Sequence, residues 1–256
     1  MSLFNKVLAS VGIGGSKVDT KLENDTLVPG ETVRGIVEII GGSIEQSIDS
    51  IFLSLNTTYL KESGDKKYSV TASIDRFKIA EPFQISPNEK KAIPFSFRLP
   101  LDTPVTIGRT KVWLSTGLDI KNAVDPTDTD YVRVVPNNEM SAILTAVQDM
   151  GFRLREADCE QAPYRMRRRL PFVQEFEFVP VSGRFRGRLD ELEVVLFPGD
   201  GGAVEVLMQV DRRARGLGGF LSEALSTDES NVRLLLSSSD IPLARQKIQA
   251  VIERYS

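Results

Sequence analysis

The chain has 256 residues, a formal net charge of −3, 41% hydrophobic and 26% charged residues, no histidine and a single cysteine, Cys159. That balance is that of a water-soluble globular protein long enough to bury one large core or two ordinary ones. The missing imidazole excludes Ser-His-Asp and Cys-His catalysis, His-ligated zinc and imidazole proton shuttling, and the lone thiol excludes an internal disulfide. A near-neutral charge gives no electrostatic case for nucleic acid.

No apolar run approaches the roughly 18–20 residues needed to span a bilayer. The opening MSLFNKVLASVGIGG carries one lysine and a broken apolar stretch, a poor signal peptide, so the expected location is the cytoplasm. Ser2 can cap a short helix whose Leu3, Phe4, Val7, Leu8 and Val11 share a face, ended by Gly12, Gly14 and Gly15. That face suits transient contact with a membrane surface or a partner. Its default role is to cover the protein's own sheet, because membrane-surface helices usually carry a lysine-rich polar face.

Strands follow. Pro29-Gly30 forms a turn into Thr32–Ile40, in which Val33, Gly35, Val37 and Ile39 share one face while Arg34 and Glu38 take the other. Gly41-Gly42 is expected to supply positive backbone angles for a reversal. Ile51, Leu53, Leu55, Thr57 and Tyr59 alternate next. Tyr68–Ala80, Lys90–Leu99 with Pro94 at an edge or bulge, Lys111–Ile120 and Tyr131–Val135 complete the series. Short strands broken by Gly and Pro turns indicate a β-sandwich over residues 16–135.

Pro136-Asn137-Asn138 marks a boundary. A linker helix is expected within 136–151, capped by Asn138 and stopped by Gly151, with Met140, Ile143, Leu144 and Val147 buried. Basic usage shifts here: residues 1–135 hold 11 Lys and 5 Arg, residues 136–256 hold 1 Lys and 15 Arg. A second sandwich is expected over 152–238, from strands at Glu175–Val179, Leu192–Phe197, Ala203–Val210 and Asn231–Leu236. A terminal helix over 239–256, capped by Asp240, presents Ile241, Ala244, Ile248, Val251, Ile252 and Tyr255 on one face.

Three constellations invite chemistry. Arg165, Arg167, Arg168 and Arg169 form the densest basic cluster, and Arg184, Arg186 and Arg188 would share one face of a strand. Arginine pairs bidentately with carboxylate or phosphate, so these seven are the candidate surface for an acidic partner. The competing reading pairs them with Glu175, Glu177, Asp190, Glu191 and Glu193, where exposed pairs contribute only about 0–1 kcal/mol each. Asp125, Asp128 and Asp130 are weak candidates for calcium; they lack the spacing of an EF-hand and read first as a turn. Gly216–Gly219 lacks the Lys-Ser/Thr of a phosphate loop and reads as a turn into a short helix, Phe220–Leu225. No catalytic or cofactor-binding residue emerges.

FNKVLASVGIGGSKVDTKL, VPGETVRGIVEIIGG, IPFSFRLPLDTP, LDIKNAVDPTDTDYVRVVP and YRMRRRLPFVQEFEFVPVSGRFRGRLDELEVVLF, in this order, resemble the arrestin-like fold and, within it, the bacterial sporulation-control family, the stage-zero sporulation "M" proteins of Bacillus. The resemblance covers nearly the whole chain. It implies an all-β-dominated chain of two tandem arrestin-like sandwiches with short helices, and a non-enzymatic regulator or adaptor acting through other proteins, with no cofactor and no nucleic acid. Homo-oligomers stay open. The alternatives are a metal- or carboxylate-dependent hydrolase on a sandwich and a peripheral membrane-surface module.

Overall fold

The structure is a computed structural model of the whole chain, described here for residues 15–64, 66–120, 125–164, 166–211 and 231–255. It is mostly β, with two α-helices among the described residues. The chain separates into two compact units: residues 1–57, 73–100 and 111–134 form the first, and 58–72, 101–110 and 135–256 the second.

The first unit contains β1 (Lys17–Leu22), β2 (Thr26–Leu27), β3 (Thr32–Ile40), part of β4 (Gln46–Ser63), part of β5 (Lys66–Ala80), β6 (Phe83–Ile85), β7 (Lys90–Arg98), β8 (Val112–Ile120) and β9 (Thr127–Val134). One sheet is ordered β1-β3-β7 and a second runs β4-β8-β9-β2. The expected face of β3 is the buried one: Val33, Val37 and Ile39 are all under 5% exposed. Opposite them, register pairs Ile51 with Leu118, Leu53 with Thr116 and Leu55 with Leu114. Period-two alternation therefore delivers both inner faces of a sandwich. Glycine does two different jobs here. Gly30 takes a φ of 91° at the Pro-Gly turn, as expected. Gly41 and Gly42 do not have positive φ, contrary to expectation; a Cβ on Gly41 would stand 2.1 Å from the Ser86 carbonyl oxygen, so close approach requires the glycine.

The second unit holds α1 (Asn138–Asp149), β10 (Phe152–Gln161), β11 (Phe172–Pro180), β12 (Glu191–Pro198), β13 (Val204–Asp211), β14 (Asn231–Leu236) and α2 (Ala244–Tyr255). Its strands form an antiparallel meander, β14-β13-β12-β11-β10. Met140, Ile143, Leu144 and Val147 are buried as their spacing requires. The cap is Asn137 rather than Asn138: its Oδ1 accepts from the Met140 amide at 2.9 Å. At the other terminus, Ser237 and Asp240 cap a 3-10 turn, Ser238–Leu243, and α2 begins only after Pro242. Ala244, Ile248 and Ile252 are the fully buried members of the expected stripe.

Gly183–Phe185 is a 3-10 turn, so Arg184, Arg186 and Arg188 do not line a strand face as expected. Positive φ at Gly183 and Gly187 breaks the extended run that the alternation of arginines suggested. Gly151, which stops α1, has φ 95° and a Cβ there would lie 2.3 Å from the Ser182 carbonyl oxygen. Backbone conformation and contact both demand glycine at this joint. Gly151→Ala should destabilise the chain by about 1–3 kcal/mol in urea melts, whereas Gly201→Ala, also at positive φ but with open space around it, should cost only about 1 kcal/mol.

Candidate functional site

In the second unit, β10, β11 and β12 carry acids at alternate positions: Glu156, Asp158 and Glu160, then Glu175 and Glu177, then Glu191 and Glu193. Register places Asp158 beside Glu175, Glu156 beside Glu177, and Glu177 beside Glu193. The intervening residues, Phe176, Phe178, Leu192 and Val194, are essentially inaccessible and belong to the apolar face. Except for Glu156, each of these carboxylates is less than a tenth exposed. Such burial demands partners, because an unpaired buried charge is costly. Arg109 pairs with Glu156 and Asp158, and Arg155 with Glu177 and Glu191. The Lys67 ammonium reaches Glu160 at 3.2 Å. Glu175 Oε2 has no hydrogen-bond partner. Burial, reinforced by Glu160 and Glu191, pushes the Glu175 carboxyl up to about 8. Burial also raises Glu160, against the pull of Lys67.

The competing reading paired the arginine clusters with Glu175, Glu177, Asp190, Glu191 and Glu193; of these, Glu177 and Glu191 are held by Arg155, which no sequence motif singled out. Arg168 pairs instead with Glu205 and Arg169 with Asp102. Arg184 pairs with Glu253 on α2. Arg167 and Arg186 are exposed and have no ion-pair partner among the described residues. Arg165 and the apolar quartet Leu3, Phe4, Val7 and Leu8 lie outside the described residues, as do Gly216–Gly219 and Phe220–Leu225.

Arg167, Arg168 and Arg169 stand on the connection between β10 and β11. Its base is tied by the Ala162 amide donating to the Pro171 carbonyl at 3.0 Å. Within it, the Pro163 carbonyl accepts from the Met166 and Arg167 amides at 2.9 and 3.0 Å, a turn that buries Met166 and Leu170 and leaves the arginines outside. The Arg168 guanidinium lies 3.8 Å from the centre of the Phe197 ring, a cation–π contact. Glu205 is shared between Arg168 and Arg233. Tyr164, two residues before Met166, is 86% exposed.

Beneath these arginines opens a cavity of about 300 Å³. Leu101, Met140, Met166, Leu170, Phe172 and Phe197 supply most of its apolar wall. Gln174 braces one side: its Nε2 donates to the Val105 carbonyl and its Oε1 accepts from the Val105 amide, both at 2.8 Å. Thr103 also lines the cavity, is 1% exposed, and its hydroxyl has no hydrogen-bond partner among the described residues. A second cavity, about 410 Å³, lies between the end of α1, the Ser182–Phe185 turn and α2. There Arg184 is already answered by Glu253, which also accepts from Gln249. Glu175 lines neither of these two cavities.

In the first unit, two of the three aspartates of the candidate cation loop accept from backbone amides. Asp125 accepts from the Ile120 amide at 2.9 Å and Asp128 from the Thr20 amide at 2.8 Å. Burial, then the neighbouring Asp128, pushes Asp130 up to about 6. Among the described residues no group of three His, Cys, Asp or Glu side chains is placed to hold a metal ion, and no helix is long and apolar enough to cross a membrane.

The chain is mostly β, and its second unit combines a charged sheet face with an arginine-bordered apolar cavity. The chain belongs to the SpoOM protein family, whose model matches residues 4–214. It is 46% identical over 253 residues to the sporulation-control protein spo0M of Bacillus subtilis (strain 168), covering 99% of this chain and 97% of that protein. The crystal structure of Spo0M from Bacillus subtilis superposes with a TM-score of 0.89 at 43% identity, covering 95% of this chain and 100% of the other. The fold and the regulatory class expected from the sequence are those of this family.

Two measurements follow from the site. Thr103→Val removes a buried hydroxyl that no described residue satisfies and should stabilise the chain by about 1 kcal/mol in chemical denaturation. For Glu175 the folded pKa, about 8, lies above its ordinary 4.5, so the folded state holds the extra proton between these values. Stability should therefore fall as pH rises from about 4.5 to about 8 and stay low above it. Glu175→Gln should flatten that slope and melt higher than the parent at pH 8.5, a difference read by scanning calorimetry.

Proposed function

We propose that this chain is a non-enzymatic intracellular regulator that works by binding other proteins, with the arginine-bearing connection of the second unit as its contact surface. Its family supplies the regulatory role; the surface supplies the means. The observation that carries the reading is the connection between β10 and β11, which sets Arg168 and Arg169 at the border of an apolar cavity, with Tyr164 and Arg167 exposed on the same connection. Arginine and tyrosine beside a desolvatable apolar pocket are the side chains that dominate protein–protein binding energy. Arg167 has guanidinium donors uncommitted to any ion pair among the described residues, and Arg168 shares its carboxylate with a second arginine. Both favour an acidic partner, since a carboxylate can take two parallel donors from each guanidinium. The lone buried thiol at Cys159 suits a reducing compartment.

Placing a photo-crosslinking benzoyl-phenylalanine at position 164 in growing cells tests this directly. Irradiation should produce discrete adducts with one or a few proteins, and Arg167→Glu combined with Arg168→Glu should diminish them about ten-fold, as expected when buried or bidentate arginine contacts are lost. Irradiation that yields only the unmodified chain would defeat the proposal.

A further inference from the structure

The cavity occupies a fork in the sheet. β11 and β12 are paired from Phe178↔Leu192 to Glu175↔Val195, and there their ladder stops. Both strands nevertheless continue for three more residues, to Phe172 and to Pro198. β11 stays paired to β10 over that stretch, and β12 to β13. The two splayed ends, Phe172–Gln174 and Leu196–Pro198, all line the cavity, and the connection at Leu101–Pro104 lines it as well. A void thus stands where cross-strand contacts would continue.

From this fork, and resting on the protein-binding reading above, we infer the chemistry of the partner: an acidic segment of another protein that inserts one apolar side chain between β11 and β12 and lays its flanking carboxylates on Arg167, Arg168 and Arg169. Three features select this occupant. At about 300 Å³ the space lies at the bottom of the range for small-ligand pockets, roughly 300–1,000 Å³, and suits a single anchoring side chain. The two methionines in its wall, Met140 and Met166, can repack around anchors of different shape. Arg169 is paired with Asp102 and Asp200 also lines the border, but Arg168 and Arg233 share the single carboxylate of Glu205, so the excess guanidinium there has the charge and geometry that an Asp or Glu of the partner requires.

Panning a phage library of random peptides against the immobilised full-length chain supplies the probe. Enriched peptides should share a Leu, Met or Phe flanked by Asp or Glu. Two variants fill the fork: Leu101→Trp at its border, and Gly199→Leu, where the backbone φ of −121° is ordinary and an added Cβ meets only the Ala203 carbonyl oxygen, at 3.5 Å. Enriched peptides should bind each filled variant, and Arg168→Glu, about ten-fold more weakly, the loss expected for one desolvated anchor or charge pair. Arg168 is exposed, so its variant keeps the test open should a filled variant fail to fold. The inference falls if no peptide is enriched, if enriched peptides lack the acidic-apolar pattern, or if they bind the filled variants unchanged. It also falls if decanoate, a medium-chain fatty acid, saturates the cavity while peptides do not compete with it. Adducts at position 164 combined with peptides indifferent to the filled fork would refute the anchor and leave the protein-binding role standing; absence of adducts would refute that role itself.

Discussion

A β-strand has two faces and cannot avoid presenting both, and in the second unit that constraint decides everything else. β10, β11 and β12 spend one face on Phe176, Phe178, Leu192 and Val194, which pack into an apolar core with the helices against the sheet. The other face carries Asp158, Glu160, Glu175, Glu177, Glu191 and Glu193, all nearly inaccessible. Carboxylates side by side out of water repel one another, so the sheet is stable only with Arg109, Arg155 and Lys67 drawn onto it. Glu175, which burial and the neighbouring Glu160 and Glu191 push up to about 8, answers by holding its proton instead.

That face ends in an apolar patch. Val173, Val195 and Leu207 continue the rows of Glu175, Glu193 and Gln209, and they cluster with Ala162 and Met166. The change from acid to hydrocarbon along the same rows coincides with the place where β11 and β12 separate. Met166 and the Arg168–Phe197 contact cover the patch from the β10–β11 connection. The arginines therefore sit where an apolar opening meets the exterior, held by ion pairs to Asp102 and Glu205. Under the proposed protein-binding role, such a surface would meet shape and charge together.

The first unit shows the opposite economy. Its carboxylates at Asp125 and Asp128 close backbone hydrogen bonds to Ile120 and Thr20, so a loop that resembles a cation site by composition serves as sheet carpentry. Its glycines divide between conformation at Gly30 and proximity at Gly41, two requirements that one letter in the sequence cannot distinguish.

Local pattern was enough for what depends on neighbours along the chain: the buried face of β3, the alternation in β4 and β8, and the stripe of α1 all follow from which residues are two, three or four apart. The quoted motifs, in their order, were enough for the family. Distant pairing was beyond it. Nothing in Arg155 announces that it will hold Glu177 and Glu191, nothing in Thr103 that its hydroxyl will be buried without a partner among the described residues, and the three alternating arginines after Ser182 imitate a strand that positive φ forbids. The assignment of residues 58–72 and 101–110 to the second unit, and the fork between β11 and β12, are decisions of register and packing. The sequence by itself determined which side chains each element would bury, because that is a matter of period; only the tertiary structure decided which charges would meet and where the sheet would part, because those contacts join residues dozens of positions apart.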